Sequence, residues 1–137
     1  MNINCTSKAK IYVITFTSLF SDLTGDFLEI SVNSDRDTFA FNTYGSHGDT
    51  SVEVPGESDM VHSFQCKRTA KAIFPMNMIK YALKSLHMAS KVSLRMDNQE
   101  ILCLQYLIMV GSGQCFLEYF FTPQIESEVE AQCECED

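Results

Sequence analysis

The chain has no apolar run of the ~18–20 residues that a membrane-crossing helix needs. Its longest apolar stretch near the front, Ile11 to Phe16, is short and broken by Thr15. A secretory leader pattern is missing too: Lys8 precedes that stretch, but no small-residue cleavage site follows an adequate apolar segment. The six cysteines (Cys5, Cys66, Cys103, Cys115, Cys133 and Cys135) fall at spacings that match no zinc or redox framework. Cys133-x-Cys135 is the one close pair, and no two further ligands stand nearby to complete a metal site. The cysteines therefore read as free thiols of a reducing compartment.

Positive charge is absent from the end of the chain. Of 18 acids, six (Glu126, Glu128, Glu130, Glu134, Glu136 and Asp137) follow Ile125, with no Lys or Arg among them. The net charge of −8 is thus concentrated in a tail; the rest has 12 acids against 10 bases, or −2. Such a balance argues against a protein coated in base for nucleic acid, but it leaves room for one basic face.

Clustered carboxylates, which metal-dependent nucleases and phosphoryl-transfer enzymes need, are missing as well. The body's acids sit in turns (Asp35, Asp37, Asp49, Asp59, Asp97) or on strand exteriors (Glu29, Glu53). Turn aspartates are favoured simply because they bond nearby backbone. His47, His62 and His87 are scattered, and none has a Ser or Cys partner in a nucleophile pattern. Gly45-x-x-Gly48 and Gly111-x-Gly113 are too short for phosphate loops and lie between strands rather than before a helix. No catalytic residue and no metal ligand is assigned, and no cofactor is expected.

Strand signals dominate what is present. Leu28, Ile30 and Val32 alternate with polar neighbours, the period of a half-buried strand. Ser34 to Asp37 is a turn cluster, followed by a strand from Thr38 to Tyr44 and a Gly-rich loop. Further strands are expected around Val52 and Val54, at Val61 to Cys66 and at Lys71 to Phe74. Three more follow: one around Val92 to Met96, one from Ile101 to Val110, and one from Cys115 to Phe121. The near-continuous apolar run in the second of these predicts a strand covered on both faces.

One convincing helix is expected from Pro75, a first-turn residue, to His87. Ile79, Ala82, Leu83 and Leu86 form its apolar stripe, with Asn77, Lys80, Lys84 and His87 opposite. At the N-terminus, Ile11 to Phe16 reads as a strand and Thr17 to Leu23 as a short helix. The total is about eight strands and two helices. Lys80 and Lys84 share one side of the helix, and Lys67, Arg68 and Lys71 precede it. From composition this stripe reads either as a solvated face or as a surface for phosphates. A long uncharged strand edge invites pairing with another chain, as in an assembly subunit.

Lys91-Val-Ser-Leu-Arg-Met-Asp-Asn-Gln-Glu-Ile-Leu-Cys-Leu-Gln-Tyr-Leu-Ile-Met109 resembles the closing strands of the Rad-one subunit of the nine-one-one DNA-damage checkpoint clamp, as does Gly113-Gln-Cys-Phe-Leu-Glu-Tyr-Phe120. Phe20 to Leu23, Asp35 to Phe41, Tyr44-Gly45 and Ser58 through Cys66 fall in the same order, so the resemblance runs over about residues 18 to 129. Met1 to Thr17 matches poorly, and the N-terminal half of a clamp subunit has no counterpart.

The resemblance implies an α+β, DNA-clamp-like half-subunit, built like proliferating-cell nuclear antigen: a curved antiparallel sheet with two helices on one face. The expected domain is 10–122, with 1–9 an extension of undetermined structure and 123–137 a disordered acidic tail. The implied function is that of a non-catalytic subunit of a heterotrimeric nuclear clamp that encircles DNA and recruits checkpoint and repair factors. Its partners would be two other clamp subunits, a clamp loader and double-stranded DNA, with no membrane. Lys80, Lys84 and His87 would face DNA; Thr50, Ser51, Val52, Glu53 and Val54 would form the subunit edge. The competing expectations are a metal-dependent 3′–5′ exonuclease and a β-rich adaptor without DNA contact.

Overall fold

The computed structural model describes residues 5–12, 25–46, 48–59 and 61–124. Two antiparallel sheets share one core. Strands β1 (Cys5–Tyr12), β5 (Val61–Cys66), β7 (Lys91–Asp97), β8 (Leu102–Val110) and β9 (Gly113–Phe121) form a five-stranded sheet in the order β5-β1-β7-β8-β9. Strands β2 (Phe27–Asn33), β3 (Thr38–Tyr44), β4 (Thr50–Pro55) and β6 (Ala70–Pro75) form a four-stranded one, ordered β4-β3-β2-β6. Helix α1 (Met76–Leu83) follows β6 directly, and a 3₁₀ turn (Leu86–Met88) follows the helix.

Alternation decides which side of each strand is buried. Leu28, Ile30 and Val32 of β2 and Phe39 and Phe41 of β3 point into the core with Phe74 of β6. Val92, Leu94 and Met96 of β7 and Leu102, Leu104 and Tyr106 of β8 meet them from the other sheet. Burial of each large side chain contributes roughly 1.5–3 kcal/mol. Aromatic packing adds direction: the Phe39 and Phe64 rings stack at 5.5 Å, and Phe39 meets Phe41 edge to face at 5.6 Å.

The turns follow their side chains. Asn33 Oδ1 accepts from the Asp35 and Arg36 N–H groups at 2.9 and 3.1 Å. Asp97 Oδ1 accepts from the Gln99 and Ile101 N–H groups, both at 2.9 Å. Asp97 is therefore a turn-forming aspartate, as its position suggested.

Several expectations need correction. There are two sheets rather than one curved sheet. The described residues hold one of the two expected α-helices. The expected helix at Thr17 to Leu23, Val13 to Phe16 of the expected first strand, His47 and the acidic tail from Ile125 lie outside them. The first strand starts at Cys5, inside the segment read as a mere extension; β1 pairs with both β5 and β7.

Pro75 is not in the helix. It has extended backbone (φ −63°, ψ 130°) and ends β6 opposite Phe27. A fixed proline φ near −65° suits either state, and sheet pairing selects the extended one. The helix stops at Leu83 rather than His87: the Lys84 and Ser85 N–H groups bond the Tyr81 and Ala82 carbonyls, three residues back, both at 3.4 Å. Strand β8 is covered on both faces only in its first half, because Met109 and Val110 are exposed beside the edge strand. Glu29, expected on an exterior, is buried, where its Oε1 accepts from Asn42 Nδ2 at 3.0 Å.

Gly56 supports the join after β4. Its N–H donates to the Asp37 carbonyl at 2.8 Å, and an added Cβ would lie 2.7 Å from Phe64 Cδ1 and 2.9 Å from the Asp37 carbonyl oxygen. Gly113 has only ordinary contact distance, 3.7 Å to the Val110 carbonyl oxygen. Gly56→Ala should therefore destabilise the fold by about 1–3 kcal/mol, whereas Gly113→Ala should be nearly neutral. Chemical denaturation of the two variants tests the difference; equal losses would contradict the packing described.

Candidate nucleic-acid interface and strand edges

Helix α1 turns Met76, Ile79 and Ala82 into the core, and Leu86 of the 3₁₀ turn follows them. Two hydroxyls hold this inner side. Tyr106 Oη, from β8, donates to the Ala82 carbonyl oxygen at 2.8 Å in a buried bond. Ser85 Oγ and Tyr119 Oη, from β9, lie 2.9 Å apart, and the Tyr106 and Tyr119 rings meet at 5.6 Å. Burial, aided by the neighbouring Tyr119, pushes the Tyr106 phenol well above the ordinary tyrosine pKa.

The opposite side carries Asn77, Met78, Lys80, Tyr81, Lys84, His87 and Met88, all exposed. Lys84 Nζ sits 5.7 Å from the centre of the Tyr81 ring, and His87 Nδ1–H donates to the Lys84 carbonyl oxygen at 3.0 Å. No acid occurs from Met76 to Met96. The three residues read as DNA-facing, Lys80, Lys84 and His87, are thus brought to one surface despite the early end of the helix. Arg68 and Lys71 do not join them. Arg68 Nη2 donates to the Asn98 carbonyl oxygen at 3.0 Å, at the β7–β8 turn. Lys71 projects from the side of β6 opposite its core-facing Ala70, Ala72 and Phe74.

Residues Thr50 to Val54 lie in β4, the outermost strand of the four-stranded sheet. Val54 is fully buried, Val52 packs partly against the core, and Glu53 is exposed. Glu53 pairs with Arg36 at 3.2 Å, and Ser51 Oγ donates to Asn42 Oδ1. The edge is therefore polar outside and apolar inside.

A second edge, β9, was not located by sequence reasoning, although an apolar edge was expected somewhere. Phe116 and Phe120 are exposed on its outer side, beside exposed Met109 and Val110 of β8. Between the two phenylalanines runs a polar row: Arg95 Nη2 donates to Gln105 Oε1 (2.9 Å) and Gln105 Nε2 to Glu118 Oε1 (3.4 Å). The signal was the alternation of Phe116, Glu118 and Phe120, which a count of apolar residues alone hides.

A groove of about 890 Å³ crosses the outer side of the four-stranded sheet, between Ser31, Arg36, Glu53, Lys71, Glu100 and Gln124. Its carboxylates are separate, and Glu53 is engaged by Arg36. Among the described residues no three His, Cys, Asp or Glu side chains are grouped to hold a metal ion. Cys115 is a free thiol, and Cys66 Sγ–H donates to the Arg68 carbonyl oxygen at 3.2 Å.

Comparison with known proteins adds the following. Residues 4–108 match the family described as Repair protein Rad1/Rec1/Rad17. This match takes in most of the segment before Ser18, which was expected to fit poorly, and it ends before the Gly113 to Phe120 stretch. The chain is similar to mouse Cell cycle checkpoint protein RAD1, 39% identical over 106 residues, which are 77% of this chain and 38% of the relative. It is also similar to DNA damage checkpoint control protein rad1 of Schizosaccharomyces pombe, 30% identical over 100 residues, 72% of this chain and 31% of that one. The chain thus spans well under half the length of the curated relatives it matches. Among solved structures it resembles a chain of the PCNA2-PCNA3 complex from Sulfolobus tokodaii, with a TM-score of 0.74 and 17% identity, over 90% of this chain and 49% of that one. At that identity the likeness establishes the fold, a half of a clamp chain.

Removing the Tyr106 hydroxyl tests the anchoring. Tyr106→Phe should reduce stability by about 0.5–1.5 kcal/mol, through loss of the buried bond to the Ala82 carbonyl. The parent protein should also lose stability above the ordinary tyrosine pKa of ~10, where the unfolded chain ionises and the folded one resists; below it this contribution is complete. Melting curves across alkaline pH check both, and a Phe variant with the parent's alkaline profile would refute the assignment.

Proposed function

The chain belongs to the Rad1/Rec1/Rad17 family of repair proteins, and from that premise we propose that it serves as part of a non-catalytic subunit of a heterotrimeric DNA-damage checkpoint sliding clamp. Such a clamp encircles double-stranded DNA in the nucleus and recruits checkpoint and repair factors. Its partners are two other clamp subunits and a clamp loader. The observation that carries the reading is the acid-free outer side of α1, which presents Lys80, Lys84 and His87 from a clamp fold. Lysines on a rigid helix bind phosphates without reading sequence, as sliding requires. The ring acts by topology, so no bond-making residues are needed. The exonuclease reading is not favoured, since the described carboxylates stand apart.

Thr50, Ser51, Val52, Glu53 and Val54 form the subunit-facing edge in this proposal. Support comes from the place of β4 at the margin of its sheet. Main-chain N–H and C=O groups on such a margin accept a further strand, and the fixed inward setting of Val54 sets its register.

Changing both Lys80 and Lys84 to Glu should weaken DNA retention and flatten its dependence on salt. Each lost phosphate contact removes roughly 0.9 from the logarithmic slope. Unchanged retention with an unchanged slope would count against the DNA face. For the edge, neighbouring residues on a strand point their N–H groups to opposite sides. Of Ser51→Pro and Val52→Pro, one therefore removes a bond to β3 and the other a donor to the partner strand. The better-folded variant of the two, judged by melting, should lose binding to the other clamp subunits. Full binding by that variant would move the interface to another strand.

A further inference from the structure

The basic side of α1 is not only basic. Tyr81 is 68% exposed, Met78 53% and Met88 47%, on the outer side of α1 and the 3₁₀ turn that also carries Lys80 and Lys84. Phosphate contact gives them no role, because a duplex keeps its base faces stacked inside and offers a neighbouring helix mainly phosphates and groove edges. An aromatic ring among lysines suits a different ligand. In unpaired strands the bases are open, and each presents a π-face to stack upon. Lys84 Nζ lies over the Tyr81 ring, 5.7 Å from its centre, so a base stacked on the opposite ring face would bring its own phosphate within reach of an ammonium group. Met78 and Met88 add polarizable thioether surface on either side. The lack of any acid from Met76 to Met96 makes the ligand a polyanion rather than a protein of mixed charge.

We propose that this side of α1 is a binding site for unpaired nucleotides, with Tyr81 as the stacking platform and Lys80 and Lys84 on the flanking phosphates. The clamp subunit would then distinguish single-stranded stretches, as at a gap or a strand junction, from continuous duplex. The inference rests on the DNA-facing assignment of the helix and adds a specificity to it.

The test uses the full chain, with fluorescence anisotropy at low ionic strength. The probes are a labelled mixed-sequence single strand and a blunt duplex of the same length. The parent should prefer the single strand. Tyr81→Ala should lower single-strand affinity roughly tenfold and leave duplex affinity unchanged; Tyr81→Phe should keep the parent's preference. Tyr81→Lys, which adds charge without a ring, should bind duplex more tightly and lose the preference. Since Tyr81 is exposed, these variants should melt with the parent.

Equal loss on both probes, or no loss on either, would overturn the stacking role while leaving the lysine face to be judged by its own double variant. If the parent binds neither probe, the stacking site is overturned, and the lysine face is judged in the assembled clamp by its own double variant. If sedimentation shows the parent self-associating and Tyr81→Ala not, with nucleic-acid affinity unchanged, the face belongs to a second copy and the inference is overturned.

Discussion

Helix α1 presents its lysines to solvent because its other side is held at a fixed rotation. Ile79 and Ala82 are buried against the sheets, and the Tyr106 hydroxyl adds a second, buried bond to the Ala82 carbonyl, which also accepts from the Ser85 N–H at the end of the shortened helix. A helix of eight residues has little stability of its own. Its orientation therefore comes from these contacts. Ser85 and Tyr119 extend the hold to β9, so both closing strands of the chain take part in aiming the basic surface. The outer face can vary in charge without disturbing the inner one, which is how a fold of this kind keeps its shape while its ligand surface changes.

Much of this was legible from periodicity. Strands β2, β3 and β7 alternate cleanly, and their apolar residues are the ones buried. The lysine stripe survived even though the helix bounds did not, because Lys80 and Lys84 share a side whether or not the helix continues. Less visible were features that depend on distant partners. Pro75 has a φ compatible with helix and strand, and only its pairing with Phe27 decides the matter. Strand β1, CTSKAKIY, alternates only over its second half, with Ala9 and Ile11 between Lys8, Lys10 and Tyr12; β5 and β7 on either side define it. Exposure of Met109, Phe116 and Phe120 was equally hidden, since local sequence does not say which strand ends a sheet.

Two of the four sheet margins, β4 and β9, are built differently. Strand β4 sets buried valine against exposed serine and glutamate, and its charge is matched by Arg36. Strand β9 is longer and leaves two phenylalanines in water around a single polar row. Long apolar margins are a liability in a free-standing protein. The separation of polar and apolar margins also gives any assembly using both a direction, since unlike surfaces meet head to tail.

The place of β1 between β5 and β7 bears on how the molecule is made. Ser7 lies opposite Cys66, and Cys5 opposite Asp97. Strands β2, β3 and β4 pair with near neighbours in the chain and can zip up as they emerge from the ribosome. Strand β1 is synthesised before any of them, yet its second partner is finished ~85 residues later, several seconds at ~5–20 residues per second. Until then the five-stranded sheet lacks its middle, and β1 needs protection from pairing elsewhere. Strand β1 leaves the ribosome before either of its partners and completes its pairing only with β7.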